Sequence, residues 1–237
     1  MSGPDSCLAV VPARGGSKRI PGKNLRPLRD RPLLAFTIEA ALESDLFSRV
    51  VVTTDSAEIA AVAVEWGAEV PFLRDAGLAD DFVPVSAATV DALDRIDRAG
   101  DTVKSVCQLM PNCPLRTAAD IVASHQQFLR TGAEAQVSVV RYGWQNPWWA
   151  MRRDERLVLA PLFEEAATAR SQDLPELFCP TGAVWWARAG SLRREGTYHM
   201  PGRTGWEIPW QRGVDIDTEA DWEMADVLMR LDRGAQA

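Results

Sequence analysis

A chain of 237 residues with 46% apolar side chains is long enough for one large α/β domain with a sizeable core. Its 26 Lys and Arg against 33 Asp and Glu leave a formal charge of −7, which argues against nucleic acid or an anionic membrane surface as main partner. Four cysteines without a C-x-x-C pair and two histidines leave little material for a zinc site or a Ser-His-Asp triad. No stretch reaches the length of a membrane span and the N-terminus lacks a basic-apolar signal pattern, so a reducing cytoplasm is the expected compartment.

In chain order, Cys7 to Val11 is a short apolar run that reads as a buried strand. It breaks into a loop ending at Lys23 and Asn24, where Gly15, Gly16 and Gly22 let the backbone turn tightly and bring N–H groups close to a ligand. Arg14, Lys18, Arg19 and Lys23 concentrate positive charge on that loop of an acidic protein. The pattern points to a polyanionic ligand, a triphosphate foremost; a solvated basic turn is the plainer alternative. It is not a Walker A loop, because five residues separate Gly16 from Gly22 and Asn24 follows the lysine.

Leu33 to Leu42 carries Leu34, Ile38, Ala41 and Leu42 on one stripe and predicts a helix. Arg49 to Thr54 predicts a β-branched strand, Ser56 the cap of a helix over Ala57 to Trp66, Gly67 its stop, and Glu69 to Leu73 a short third strand. Ser86 to Ala99 reads as a helix, Val103 to Leu109 as a strand, Ala118 to Arg130 as a helix capped by Thr117, and Gln136 to Arg141 as a strand. This alternation predicts a mainly parallel sheet sandwiched by helices.

The alternation then stops. Tyr142 to Arg153 carries three tryptophans and Arg156 to Leu162 a short apolar alternation. These indoles, with Trp185 and Trp186, are either core, a subunit interface, or a sugar-facing wall. Gly182 to Ala187 predicts a buried strand. In Gly213-Val-Asp-Ile-Asp-Thr-Glu-Ala-Asp221, Asp215 and Asp217 alternate, so a strand there sets both carboxylates on one face. Two such carboxylates repel unless a cation joins them, and hard oxygens with room for phosphate suit Mg²⁺. Thr218 and Asp221 form a capping-box variant opening a last helix, Glu219 to Leu231, before an expected frayed tail from Arg233.

The strand followed by Pro-Ala-Arg-Gly-Gly-Ser-Lys and then Lys-Asn resembles the signature loop of the acylneuraminate cytidylyltransferase family. These are the CMP-sialic acid synthetases and their pseudaminic and legionaminic acid relatives. Gln108-Leu-Met-Pro-Asn-Cys-Pro-Leu-Arg116 resembles that family's Leu-Gln-Pro-Thr-Ser-Pro-Leu-Arg, with Asn112 and Cys113 in place of Thr and Ser. Arg170-Ser-Gln-Asp-Leu-Pro175 resembles its Arg-x-Gln-Asp-Leu-Pro stretch, closest to the pseudaminic acid branch, and Asp215-x-Asp217 resembles its metal pair.

The resemblance implies a Rossmann-like nucleotidyltransferase fold. Residues 1–237 would form a single domain in which about 141–180 are a small dimerisation extension that closes a second subunit's site. It implies CTP as the nucleotide, held by Ala13, Arg14, Gly15, Gly16, Ser17, Lys18, Lys23, Asn24 and Asp215. Arg74, ahead of Leu78-Ala79, would lie beside the cytosine, where a guanidinium can donate to O2 and N3; a plain surface arginine is the alternative. Gln108, Arg141, Arg170 and Gln172 would face the acidic acceptor sugar, an arginine forking onto its carboxylate; a lone Gln ending a strand is as readily structural. Asp215 and Asp217 would hold the catalytic Mg²⁺, and Arg14, Lys18, Lys23 and Asp217 would carry the chemistry. That chemistry is transfer of CMP from CTP to an acidic nonulosonic sugar with release of pyrophosphate, in a homodimer.

Two departures touch the acceptor and the base. Phe82 to Val85 follow the aspartate where the family has Thr or Ser, and Thr181-Gly-Ala-Val-Trp-Trp186 replaces Asn-Gly-Ala and a Tyr. Two other readings therefore stay open: the same transfer to another keto-acid sugar or a phosphonate, and a nucleotide-binding protein without catalysis.

Overall fold

The structure, a computed structural model, describes residues 6–78, 83–100 and 102–234. A six-stranded sheet forms its centre, in the order β10-β6-β9-β5-β1-β4. The strands are β1 (Cys7–Pro12), β4 (Arg49–Thr53), β5 (Ser105–Gln108), β6 (Ala135–Arg141), β9 (Phe178–Arg188) and β10 (Thr204–Glu207). β1 pairs in parallel with both β4 and β5, β10 in parallel with β6, and only β9 runs antiparallel, between β5 and β6. The expected mainly parallel sheet is thus present. Two small antiparallel pairs sit outside it: β2 (Pro27–Leu28) with β3 (Arg31–Pro32), and β7 (Met151–Arg153) with β8 (Leu159–Pro161).

Helices cover both faces. α1 (Leu33–Glu43), α2 (Ala57–Glu65) and α4 (Ala118–Thr131) bury Leu34, Ile38, Ile59, Ala63, Ile121 and Phe128 against one face. α3 (Val85–Ile96) and α5 (Ala189–Glu195) bury Ala92, Leu93 and Leu192 against the other. Every residue of β1 is buried, as a central parallel strand covered on both faces requires. α4 starts at a full capping box between Thr117 and Asp120 and ends at Gly132, whose φ of 65° suits a residue without a Cβ. A third cluster packs α6 (Glu219–Gly234) through Trp222, Ala225 and Met229 onto Ile20, Leu28, Leu33 and Ile216.

Several expectations are corrected. Glu69 to Leu73 makes only two isolated bridges, Val51 to Glu69 and Thr54 to Leu73, because the chain turns away from β4 between them. Asp215 and Asp217 lie on an extended run without a ladder partner rather than on a strand. β9 is longer than Gly182 to Ala187, and β10 was not anticipated, its Thr-Gly-Trp-Glu sequence giving no clear alternation. α6 continues through Arg233 and Gly234; the remainder of the expected tail lies outside the described residues.

The tryptophans divide. Trp186 is fully buried and stacks with Phe47 and Phe128, so it is core. Trp144 is 85% exposed. Residues 142–177 form a poorly buried excursion, pinned internally by the Trp148 indole N–H to Pro175 O at 2.9 Å and by Trp148 edge-on to Phe163. Among the described residues no helix is long and apolar enough to cross a membrane.

Candidate active site

Three segments converge beyond the C-terminal ends of β1 and β5, where open α/β sheets bind ligands. The first is the loop after β1. Ala13 is fully buried and gives its N–H to Thr53 O at 3.0 Å, so it anchors the loop beneath the surface. Gly15 donates its N–H to Asp55 Oδ1 at 2.9 Å, and a Cβ there would stand 3.2 Å from Ser56 Cβ. Lack of a side chain is what lets the loop lie on the turn after β4. Asn24, buried, donates Nδ2 to Arg14 O at 3.0 Å and pins the loop from its far end. Gly16 and Lys18 are exposed, and Arg14 and Ser17 half-buried.

The second segment is the acidic run ahead of α6. Ile20 of the loop and Ile216 of the run are both buried in the α6 cluster. Each such burial is worth about 1.5–3 kcal/mol, enough to fold one end of the chain onto the other. Lys23, only 13% exposed, donates Nζ to Ile216 O at 2.6 Å and to Asp217 Oδ1 at 3.2 Å. Arg19 donates to Asp217 Oδ2 at 3.0 Å from a more exposed position. The Asp217 N–H, with Thr218, is held by Asp221, so the capping box also shapes the run.

The third segment follows β5. Asn112 O accepts the Ile216 N–H at 2.8 Å, and the Cys113 thiol lies 3.5 Å from Asp215 Oδ1. Beneath it Arg116 is buried, donating to Ala183 O at 2.6 Å, to Met110 O at 2.9 Å and to the Thr37 hydroxyl. Burial pushes its pKa down, though an arginine so placed stays charged. Asp215 is exposed on one side and crowded by protein on the other, and it does not line the cleft between the three segments. Burial first and Asp217 second raise its pKa, against the opposing effects of the Cys113 thiol, Lys23 and the Gly182 N–H.

These segments enclose a cleft of about 480 Å³. Arg14, Ser17, Lys18, Lys23 and Asn24 line it from the loop, Met110 to Asn112 from the β5–α4 turn, and Asp217 from the acidic run. Lys18 and Asp217 thus face one space although the chain separates them by almost its full length. Arg19 and Asn112 also line the cleft and were not singled out as ligand contacts in the sequence. Arg19 was visible as a loop cation; Asn112 sits where the resembled motif has threonine.

Other expected site residues stand elsewhere. Gln108 is 1% exposed, accepts the Thr89 hydroxyl at 2.6 Å on Oε1 and turns Nε2 to Met110 Sδ, a polar pair inside the core rather than in the cleft wall. Arg74 is buried next to Asp55, with 3.8 Å between Nη2 and Oδ1, and its Nε has no partner. Burial lowers its pKa while Asp55 opposes the shift and nearby Arg14 adds to it, so it stands close to the loop without lining the cleft. Of the base-side residues, Ala79 to Phe82 lie outside the described residues. Arg141 is tied to Glu207 and Glu176, Arg170 donates to Asp173 at 2.7 Å, and Gln172 is exposed. None of these three lines the cleft.

Comparison with known proteins gives the family and the fold. A family model described as cytidylyltransferase matches residues 8–135, which include the loop and β5 with the turn after it. CMP-N,N'-diacetyllegionaminic acid synthase of Legionella pneumophila is 35% identical over 96% of this chain and 98% of its own length. Pseudaminic acid cytidylyltransferase of Campylobacter jejuni is 29% identical over 94% of this chain and 96% of its own. Among solved structures, CMP:2-keto-3-deoxy-manno-octonic acid synthetase complexed with CTP superposes with a TM-score of 0.73 at 16% identity, covering 96% of this chain and 99% of that one, a likeness of fold. The two curated relatives extend over the acidic run as well as the loop, and the chain belongs to the cytidylyltransferase family of nucleotidyltransferases.

Proposed function

We propose that the chain transfers a cytidylyl group from CTP to the anomeric hydroxyl of an acidic nonulosonic sugar, releasing pyrophosphate, with Mg²⁺ as cofactor. One observation carries the reading: the cationic loop and Asp217 line a single cleft at the sheet's C-terminal edge. The acceptor class comes from the names of the two relatives that match along nearly their whole length.

Asp215 and Asp217 fit a hard divalent cation. Burial first, and the Asp217 charge second, raise the Asp215 pKa, so each carboxylate disfavours charge on the other. Two carboxylates leave Mg²⁺ the positions it keeps for water and phosphate oxygens. Bound there, the ion supplies Lewis acidity toward phosphate and hydroxyl oxygens.

The chain's own groups do the rest. Arg14 and Lys18 bind the triphosphate from the loop. Lys23, fixed by Ile216 O, neutralises charge growing on the departing pyrophosphate. The backbone of Gly15 and Gly16 brings the loop close to the phosphates, and Asn24 keeps that loop closed. Arg74, buried beside Asp55 next to the loop, is the residue assigned to the cytosine. Arg170, with Gln172, meets the sugar carboxylate when the 142–177 excursion closes over the site of a second copy, making the active form a homodimer.

The test is pyrophosphate release with CTP or UTP, Mg²⁺ and a panel of acidic keto sugars, together with the mass of the protein in solution. Release with CTP and a nonulosonic acid, from a dimer, is the expected outcome. Release only with another keto-acid sugar or a phosphonate moves the acceptor, and tight CTP binding without turnover on any acceptor refutes the enzyme reading.

A further inference from the structure

The acidic run must be held still to present two carboxylates together, yet Val214 to Thr218 has no neighbouring strand to pair with. Buried backbone groups need partners; the turn after β5 takes the Ile216 N–H, while the Ile216 carbonyl accepts from Lys23 Nζ at 2.6 Å and is approached more distantly by Asn112. Asn112 grips Ile216, the residue between the two carboxylates, from both sides. Its carbonyl accepts the Ile216 N–H at 2.8 Å, and its Nδ2 approaches Ile216 O at 3.5 Å. The amide nitrogen faces Ile216 O because that carbonyl is an acceptor, and this orientation leaves Asn112 Oδ1 buried without a hydrogen-bond partner. Cys113, the next residue, points its thiol at Asp215 Oδ1, 3.5 Å away. There is no slack behind the thiol: it is fully buried, and a Cβ on Gly182 would stand 3.4 Å from its sulfur and 2.8 Å from Met110 Cγ.

We infer that Asn112 is a positioning residue for the acidic pair, with Cys113 as its second arm: the amide sets the backbone between Asp215 and Asp217, and the thiol sets the direction of Asp215. Both stand where the resembled motif carries Thr and Ser, hydroxyl residues that can donate to the same two acceptors. This chain has a donor of different chemistry at each place. The sulfur is larger than a hydroxyl oxygen and a weaker donor, so it holds Asp215 at longer range. The inference rests on the proposal that Asp215 and Asp217 hold a divalent cation.

The test compares Asn112→Ala, Asn112→Thr, Cys113→Ala and Cys113→Ser in the full chain. It reads kcat, KM for CTP, melting temperature, and Mn²⁺ binding to the protein alone by calorimetry. The alanine variants are expected to lose about tenfold in kcat with KM for CTP within about twofold, and to bind Mn²⁺ about tenfold more weakly. Asn112→Thr and Cys113→Ser recover a substantial part of both losses, which a merely structural role would not produce. Alanine variants with parental kcat and Mn²⁺ affinity overturn the inference. So does joint loss of kcat, CTP affinity and melting temperature that the hydroxyl variants do not reverse. Should Asn112→Ala not fold, the Cys113 pair decides by the same criteria. If the parent itself binds no Mn²⁺, the cation reading fails and takes this inference with it, an outcome distinct from alanine variants that match a parent which does bind the ion.

Discussion

Asp217→Asn is the sharpest probe of the cleft, because the substitution keeps shape and removes one charge. In the metal-free protein the carboxylate has two cationic partners. Arg19 is 67% exposed on its side chain, so that pair is worth no more than about 1 kcal/mol. Lys23 is largely buried, and its charge-assisted bond is worth about 1.5–3 kcal/mol, but the lysine keeps its 2.6 Å bond to Ile216 O in the variant. Removing the charge also relieves the repulsion that raises the Asp215 pKa. The net cost is about 1–2 kcal/mol, or a melting temperature lower by roughly 2–8 °C for a chain of this size. The catalytic cost is expected to be far larger. Turnover should fall by at least about 10³-fold, close to 4 kcal/mol of barrier, because half of the proposed cation site is gone. The assay is pyrophosphate release at saturating CTP and acceptor, alongside thermal denaturation. Activity within about tenfold of the parent, in a folded variant, refutes the assignment of Asp217.

Three further outcomes follow from the structure. Burial alone would push the Asp97 carboxyl up, but hydrogen bonds from Thr102, then Arg193, outweigh it and hold the group at about 2 against an ordinary 3.8. A depressed carboxylate stabilises the fold above its unfolded pKa and loses that contribution as pH falls through the folded one. Between about pH 4 and 2 the parent should therefore lose roughly 2 kcal/mol more than Asp97→Asn in denaturant titrations; equal losses refute it. Asp215 has the opposite sign: its raised pKa means charging it disfavours the metal-free fold once pH rises through that value. Metal-free Asp215→Asn should accordingly melt at or above the parent at neutral pH, and a clear loss of stability there would show that the carboxylate is needed for folding. Gly213→Ala places a Cβ 2.5 Å from Val140 Cγ1 and 3.2 Å from both Ile208 Cγ2 and Thr181 Cγ2. Overpacking of this kind costs about 1–3 kcal/mol, read as a lower melting temperature, and an unchanged melting point would mean that the run can shift away from β6.

The fold was readable in the sequence wherever one local rule decided. Thr117, Ser56 and the fully apolar β1 each announce their element, and the structure contains all of them. The acidic run failed as a strand because alternation of Asp215 and Asp217 reports side-chain direction, while a ladder requires a neighbour that only the tertiary fold supplies. Glu69 to Leu73 failed for the same reason at the edge of the sheet. In the site, the grouping of the loop cations was legible because four positive charges stand within ten residues of an acidic chain, and the structure sets Arg14, Lys18, Arg19 and Lys23 along one cleft. Gln108 was not: a polar residue ending a strand looks the same in sequence whether it meets a ligand or, as here, Thr89. The role of Asn112 was hidden because its partner, Ile216, lies over a hundred residues away.

What brings the two ends of the chain together is not their opposite charge. Exposed pairs such as that of Arg19 with Asp217 contribute too little to organise a site. The work falls to Ile20 and Ile216, buried together under Trp222 and Met229 of α6, and to the backbone bond from Ile216 to Asn112. Holding the run by its apolar residue and its main chain has a chemical consequence. Because apolar burial and the main chain carry most of the frame, Arg19 and Asp217 are expected to exchange their pairing for phosphate oxygens and the proposed cation with little loosening, while Lys23 stays anchored on Ile216 O. A site held only by ion pairs would have to dismantle its frame whenever they exchange partners; here the frame rests mainly on the buried Ile216 and its main chain, with Lys23 contributing through Ile216 O.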